Sequence, residues 1–344
     1  MKKKSLVALG ALVTAAALTL TGCVAGEGSA VDATTTTGAD GWSSDVLNID
    51  FATYNPLSLL IKDKGWIEDA VGADVTVNWV QSLGSNKANE ALRAGAIDVG
   101  STAGSAALLA RSNGSPIQAI DIFSQPNWAA ILVGKDSSIT DVAELRGKTI
   151  AATLGTDPYF FLLQALEEAG LTASDVTIQN LQHADGKAAL ETGAVDAWAG
   201  LDPLLSTSVA VAGSTIIYDN IDFNSYGFLN ATESFIAESP DLAQVVVNAY
   251  EKAREYALAN PDELAAILAE VAAIDPTIAA TQLQDRTAFD IDPIPGKAQH
   301  DVLAIIGPIF VSSGDVKSQD DIDAALASLF NTTFIDKADA SAIG

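Results

Sequence analysis

ALRAGAIDVGSTAGSAALL (residues 91–109) and ALETGAVDAWAGLDPLLS (residues 189–206) match at Leu92 and Leu190, Gly95 and Gly193, Ala96 and Ala194, and Asp98 and Asp196. In each, a helix-forming run ends at a glycine, a short apolar stretch reads as a strand, and a turn opens another helix. The glycine supplies the left-handed position that ends a helix without a Cβ penalty. Upstream lies a second matching pair, VLNIDFATYNPLSLLIKDKG (46–65) and KTIAATLGTDPYFFLLQALEEAG (148–170). Leu47, Ile49 and Phe51 alternate with polar residues as in a strand, and residues 150–153 form a second short strand. Asn55-Pro56 and Asp157-Pro158 each read as an N-cap followed by proline at the first helical position. DVTVNWV (74–80) and DVTIQNL (175–181) supply one more strand in each half. The order strand–helix–strand–helix–strand–helix therefore occurs twice, about one hundred residues apart. Such alternation predicts parallel, doubly wound α/β sheets.

Beyond Phe223 the pattern changes to helices alone. SPDLAQVVVNAYEKAREYALAN (239–260) starts at Ser239 and Pro240, and PDELAAILAEVAAI (261–274) follows with Asn260 and Pro261 in the same roles. GKAQHDVLAIIGPIFVSSG (296–314) and SQDDIDAALASLF (318–330) add two more. This tail is expected to cover the first lobe.

At the other end, Lys2, Lys3 and Lys4 precede an uncharged, mostly apolar run from Ser5 to Leu20 and then LTGC, which holds the single cysteine, Cys23. This reads as a signal peptide over 1–22, cut so that the Cys23 thiol carries diacylglycerol. Residues 23–45 are small, polar and turn-rich, and read as a flexible stalk. The expected location is therefore outside the cell's cytoplasm, lipid-anchored at the outer face of the cytoplasmic membrane. A net charge of −26 excludes nucleic acid and anionic headgroups as natural partners. With 49% hydrophobic residues and scattered acids, the body is globular, and its length suits two lobes rather than one core.

In open doubly wound sheets, ligands sit outside the carboxyl ends of the strands. The loops there are TYNP, GSTAGS, GTDP and GLDP, and each opens a helix whose free N–H groups and dipole favour a small anion or oxoanion. The candidate ligand-binding residues are Tyr54, Asn55, Ser101, Thr102, Ala103, Gly104, Ser105, Thr156, Asp157 and Asp202, with Trp128, Tyr159, Trp198 and Tyr226 as aromatic walls. The serines and threonines would serve equally as helix caps. Asp157 and Asp202 conflict with an anion. Either each caps its own helix, the reading favoured here, or one holds a cationic group of the ligand.

The LTGC motif, ALRAGAIDVGSTAGSAALLARSNGSPIQAI, VAELRGKTIAATLGTDPYFFLLQALEEAGL and LETGAVDAWAGLDPLL together resemble the aliphatic-sulfonate/nitrate/taurine-binding family, the substrate-binding proteins of ABC importers. The resemblance implies a two-lobed periplasmic-binding-protein-like (type II) clamp. Each lobe would be a doubly wound, mainly parallel sheet, with extra C-terminal helices. Lobe 1 would span 46–126 and 225–344 and lobe 2 127–224, with crossings near Ser124–Asn127 and Asp222–Phe228. A monomer without cofactor or catalytic residues would pass its solute to an ABC permease and its ATPase subunits. Taurine binders of the family place a carboxylate in the strand returning from lobe 2, and NSYGFLN (224–230) has none. The aromatic complement exceeds what nitrate needs. An aliphatic sulfonate without an obligatory amine is favoured; nitrate, taurine and heterocyclic vitamin precursors are the alternatives.

Two other readings are weaker. GSTAG (100–104) resembles a nucleophile elbow with Thr102 at its centre, but its base would have to be His183 or His300, neither in a triad context. SQDDID and DIDPIPG lack calcium-loop spacing, so no metal site is expected.

Overall fold

The computed structural model describes residues 41–344, and the leader, Cys23 and most of the stalk expectation lie outside these described residues. The chain is tied down from its first described residues. Trp42 donates its indole N–H to the Val71 carbonyl, and the Ser43 amide donates to Asp241.

The first half runs β1 (Val46–Phe51), α1 (Pro56–Lys64), α2 (Trp66–Val71), β2 (Thr76–Gln81), α3 (Ser85–Arg93), β3 (Val99–Ala103), α4 (Gly104–Ser112) and β4 (Ile117–Pro126). The second runs β5 (Ala129–Val133), β6 (Thr149–Ala152), α5 (Asp157–Glu168), β7 (Thr177–Asn180), α6 (His183–Glu191), β8 (Ala197–Leu201), α7 (Leu204–Thr207) and β9 (Thr215–Tyr218). The remainder is β10 (Gly227–Thr232), α8 (Glu233–Glu238), α9 (Pro240–Ala259), α10 (Pro261–Ala272), α11 (Pro276–Asp285), β11 (Thr287–Ala288), α12 (Lys297–Ser313) and α13 (Gln319–Leu326).

These strands make two sheets, ordered β11-β4-β10-β3-β1-β2 and β7-β6-β8-β5-β9. In each, the three repeat strands run parallel, β1 between β2 and β3, and β6 between β7 and β8. Antiparallel strands extend both sheets where the chain crosses over. It leaves the first sheet after Pro126, enters the second at Ala129, and returns between Tyr218 and Gly227.

The repeat has a physical basis. Gly95 and Gly193 take φ of 66° and 72°, and in both halves the same two bonds close the helix end. Gly95 and Ala96 donate to the carbonyls of Leu92 and Ala91, and Gly193 and Ala194 to those of Leu190 and Ala189. That is the Schellman arrangement. The matched aspartates do one job twice. Asp98 accepts the amide of Asn48, the third residue of β1, and Asp196 that of Thr149, the first of β6, both at 2.8 Å. Each locks the register of the central strand pair.

The C-terminal helices cover the first sheet, as the sequence predicts. α9 packs on α1 and α2, with Trp66 edge-on to Tyr256, while α12 and α13 pack on α4. α12 also reaches α5 of the second half, where the Phe310 and Phe160 ring centroids lie 4.3 Å apart. Among the described residues no helix is long and apolar enough to cross a membrane.

Replacing Asp98 by alanine should cost about 1–2 kcal/mol in urea unfolding, because a half-buried amide loses its charged acceptor. Asp196→Ala should cost less, since that carboxylate is exposed to water. Equal and negligible losses would show that these bonds do not hold the register.

Candidate functional site

The carboxyl ends of the parallel strands in the two sheets meet. Ser105 at the start of α4 touches Asp157 at the start of α5, and Asn86 in α3 faces Gln182 before α6. The GSTAGS and GTDP loops singled out in the sequence therefore meet at one interface between the halves.

Asp157 is its centre. The helix start predicted at Asp157 is one residue earlier, with Thr156 at the N-cap and Asp157 in the first helical position. The carboxylate does not cap its own helix. It accepts from Ser105 Oγ (2.5 Å), Trp128 Nε1 (2.8 Å), Ser225 N (3.0 Å) and Ser225 Oγ (2.5 Å). Burial pushes its pKa up, and those four donors pull it down. Charge-assisted bonds of this kind are the strong ones. They join α5 to α4 and to both crossing segments.

The same bonds fill the N-terminus of α4. Ala103 N donates to Ser85 Oγ, Gly104 N to the Ser225 and Tyr226 carbonyls, and Ser105 N to Ser225 Oγ. A Cβ on Gly104 would stand 2.3 Å from the Ser225 carbonyl oxygen, so this approach needs glycine. Tyr226 turns the chain here with φ of 61°.

Beside this hub, Tyr54 donates to the Ser101 carbonyl and sets its ring edge-on to Trp128, centroids 6.1 Å apart. Ser101 donates its amide and hydroxyl to Asp50, a buried carboxylate at the end of β1. Burial raises the Asp50 pKa from 3.8 to about 7, against hydrogen bonds from Ser82 and Ser101. Asn55 caps α1 through Ser58 N and donates to Tyr250 Oη. Thr102 Oγ1 donates to the Ala103 carbonyl and accepts from Asn230, and Thr156 Oγ1 donates to the Thr153 carbonyl.

The other candidates stand apart from the hub. Asp202 lies one residue before Pro203, the N-cap of α7, which has no side-chain cap; its carboxylate accepts from Ser206 N and Oγ, and its other oxygen pairs with Arg286 Nε at 2.8 Å. Burial raises its pKa and Arg286 opposes that. Arg286 also pairs with Asp219, so a residue beyond α11 ties down the second half. Trp198 is fully buried with Ala130, Leu132 and Ala151 in the second sheet's own core. Tyr159 stacks on Phe160 and reaches Asp315.

Asp50, Ser225, Arg286 and Asn86 escaped the sequence reading, and His183 entered it only as a candidate base. Ser225 lies in the quoted NSYGFLN segment and could have been noticed there. The others come together only through long-range packing.

A family model described as NMT1/THI5 like matches residues 58–264. The chain belongs to the NMT1/THI5-like family. A relative from Bacillus subtilis (strain 168), named for binding aliphatic sulfonates, is 31% identical over 255 residues, covering 72% of this chain and 76% of that protein. The periplasmic aliphatic sulphonate binding protein SsuA from Escherichia coli superposes with a TM-score of 0.69 at 26% identity, covering 81% of this chain and 91% of that one. The alkanesulfonate-binding protein SsuA from Xanthomonas axonopodis pv. citri, bound to MOPS, gives 0.74 at 23% identity over 82% and 98%, which adds likeness of fold. The two-lobed binding-protein fold of this NMT1/THI5-like chain follows from these matches.

Asp157→Asn should lower stability by about 1–3 kcal/mol, because the amide presents N–H groups to the Trp128 and Ser225 donors. An unchanged melting temperature would show that the hub does not depend on the charge. Asp50 carries a pH signature. Its folded pKa of about 7 exceeds the unfolded 3.8, so its stabilisation is complete below 3.8 and is lost as pH rises through about 7. Melting curves across that range should show wild type losing stability relative to Asp50→Asn as pH rises; parallel profiles would refute this.

Proposed function

We propose that this chain is the extracytoplasmic solute-binding component of an ABC importer, and that it captures a small organosulfonate between its two lobes. The carrying observation is the likeness, across most of the chain, to a protein named for binding aliphatic sulfonates. Lobe 1 is taken as residues 46–126 with 225–344, and lobe 2 as 127–224. The clamp then closes where α3 and α4 meet the loops before α5 and α6. Tyr54, Asn55, Ser101–Ser105, Trp128, Thr156, Asp157, Tyr159, Trp198, Asp202 and Tyr226 remain the proposed set, with unequal weights. Tyr54, Ser105, Trp128 and Tyr226 surround the hub and suit an apolar body. Trp198 acts through the core beneath it.

A binding rather than hydrolytic role is supported by Thr102, whose hydroxyl proton goes to the Ala103 carbonyl. A permease with its ATPase subunits is the proposed acceptor of the closed form. The leader and LTGC support a lipid anchor on Cys23.

Titration calorimetry with short alkanesulfonates should give saturable heat, and small-angle scattering should give a radius of gyration that decreases on saturation. Absence of heat across the sulfonates, with nitrate or a heterocyclic vitamin precursor binding instead, would overturn the organosulfonate reading.

A further inference from the structure

A cavity of about 290 Å³ lies where the second half meets the C-terminal helices. Leu205, Val209, Ala210 and Ile216, from α7 to β9, form one wall, and Ile278 and Thr281 of α11 form the other. Arg286 also lines it, and the Arg286 carbonyl accepts the Asn127 amide at the first crossing. The first wall contains a π-helical turn, Ser208–Ala212, which continues α7. Such turns are rare and gather at functional sites. Ser208 and Ser214 tie this one down through a buried hydroxyl contact of 2.8 Å, and Val209 and Ala210 of the same turn line the cavity.

The charge beside the cavity is already engaged. Arg286 pairs through Nε with Asp202 and through Nη1 with Asp219, and its Nη2 is buried away from solvent. Two further polar liners, Ser206 and Thr277, give their hydroxyl protons to Asp202 and Asp275. Thr281 is left as the lining hydroxyl that no carboxylate holds. An ion entering here would lose water and meet no free counter-charge. An apolar body would gain from burial against the two walls. Since roughly 150 Å³ is enough for benzene, the volume takes one ring with a short polar arm.

We infer that this cavity is a second binding site, for a neutral, largely apolar small molecule carrying one hydrogen-bonding group. The occupant bridges the second half and α11. Its chemistry is the opposite of an oxoanion's, so the inference goes beyond the organosulfonate reading and does not rest on it.

The test titrates benzyl alcohol, benzoate and benzylammonium into the mature chain at pH 7 by calorimetry, probes that share a ring and differ in charge. Benzyl alcohol should bind at one equivalent with a Kd below about 1 mM, and each ion about tenfold or more weakly. Ala210→Phe, which fills the cavity, should weaken benzyl alcohol by about tenfold or more, in protein whose melting temperature shows it is folded. Val211→Phe, at a neighbour that is 73% exposed and outside the lining, should leave the affinity within about twofold. If Ala210→Phe does not fold, Thr281→Trp carries the comparison. Absence of saturable heat from benzyl alcohol at millimolar concentration, or equal affinity in wild type and a folded cavity-filling variant, overturns the site. Either ion binding as tightly as the alcohol overturns the neutral assignment. Each of these results leaves the organosulfonate reading to the sulfonate titrations.

Discussion

A carboxylate buried without a cation must be met by hydrogen-bond donors, and Asp157 takes its donors from both halves of the molecule. Removing such a group from water is costly unless its lone pairs are filled. The requirement fixes Ser105 at the head of α4, the Trp128 indole at one crossing, and the Ser225 hydroxyl and amide at the other. Gly104 completes it, because only a missing side chain lets α4 approach the Ser225 carbonyl. The relative placement of the two sheets is thus tied to a single charge.

The sheets themselves rest on a local device used twice. A helix closed by glycine delivers the chain to an aspartate that accepts a backbone amide of the neighbouring central strand. This sets three parallel strands in each half and aims their carboxyl ends the same way. Loops that open helices then gather at that edge, and facing the two edges creates the cleft. The helices after β10 cover the apolar faces of α1, α2 and α4, and Arg286 links them back to Asp202 and Asp219 in the other half.

Helix N-termini in the loops made an oxoanion site attractive from sequence. The structure uses much of that donor capacity internally. α4 gives its amides to Ser85 and the returning crossing, and α1 is capped by Asn55. The start of α5 offers little more, since Pro158 has no N–H and the Tyr159 and Phe160 amides donate to the Thr156 carbonyl. At the interface, His183 Nε2 and Asn86 Oδ1 are buried against Gly84 without a partner.

The sequence by itself determined the repeat, the strand and helix order, the glycine helix ends and the helical tail, because these follow from spacings within a few residues of each other. It also placed Asn55 correctly as a cap. It could not decide what Asp157 does. Asp-Pro at a helix start is a capping signal by local rules, and only the approach of Ser105, Trp128 and Ser225 from distant points in the chain turns the carboxylate outward. Likewise Asp50 looked like an alternating polar residue of β1 until burial beside Ser101 made it a titrating core group. Trp198 looked like a cleft wall until the pleat of β8 sent it into the core. The physical reason is common to all three. Local propensity fixes where an element begins, but the direction a polar or aromatic side chain takes depends on which partners the tertiary packing brings within bonding distance.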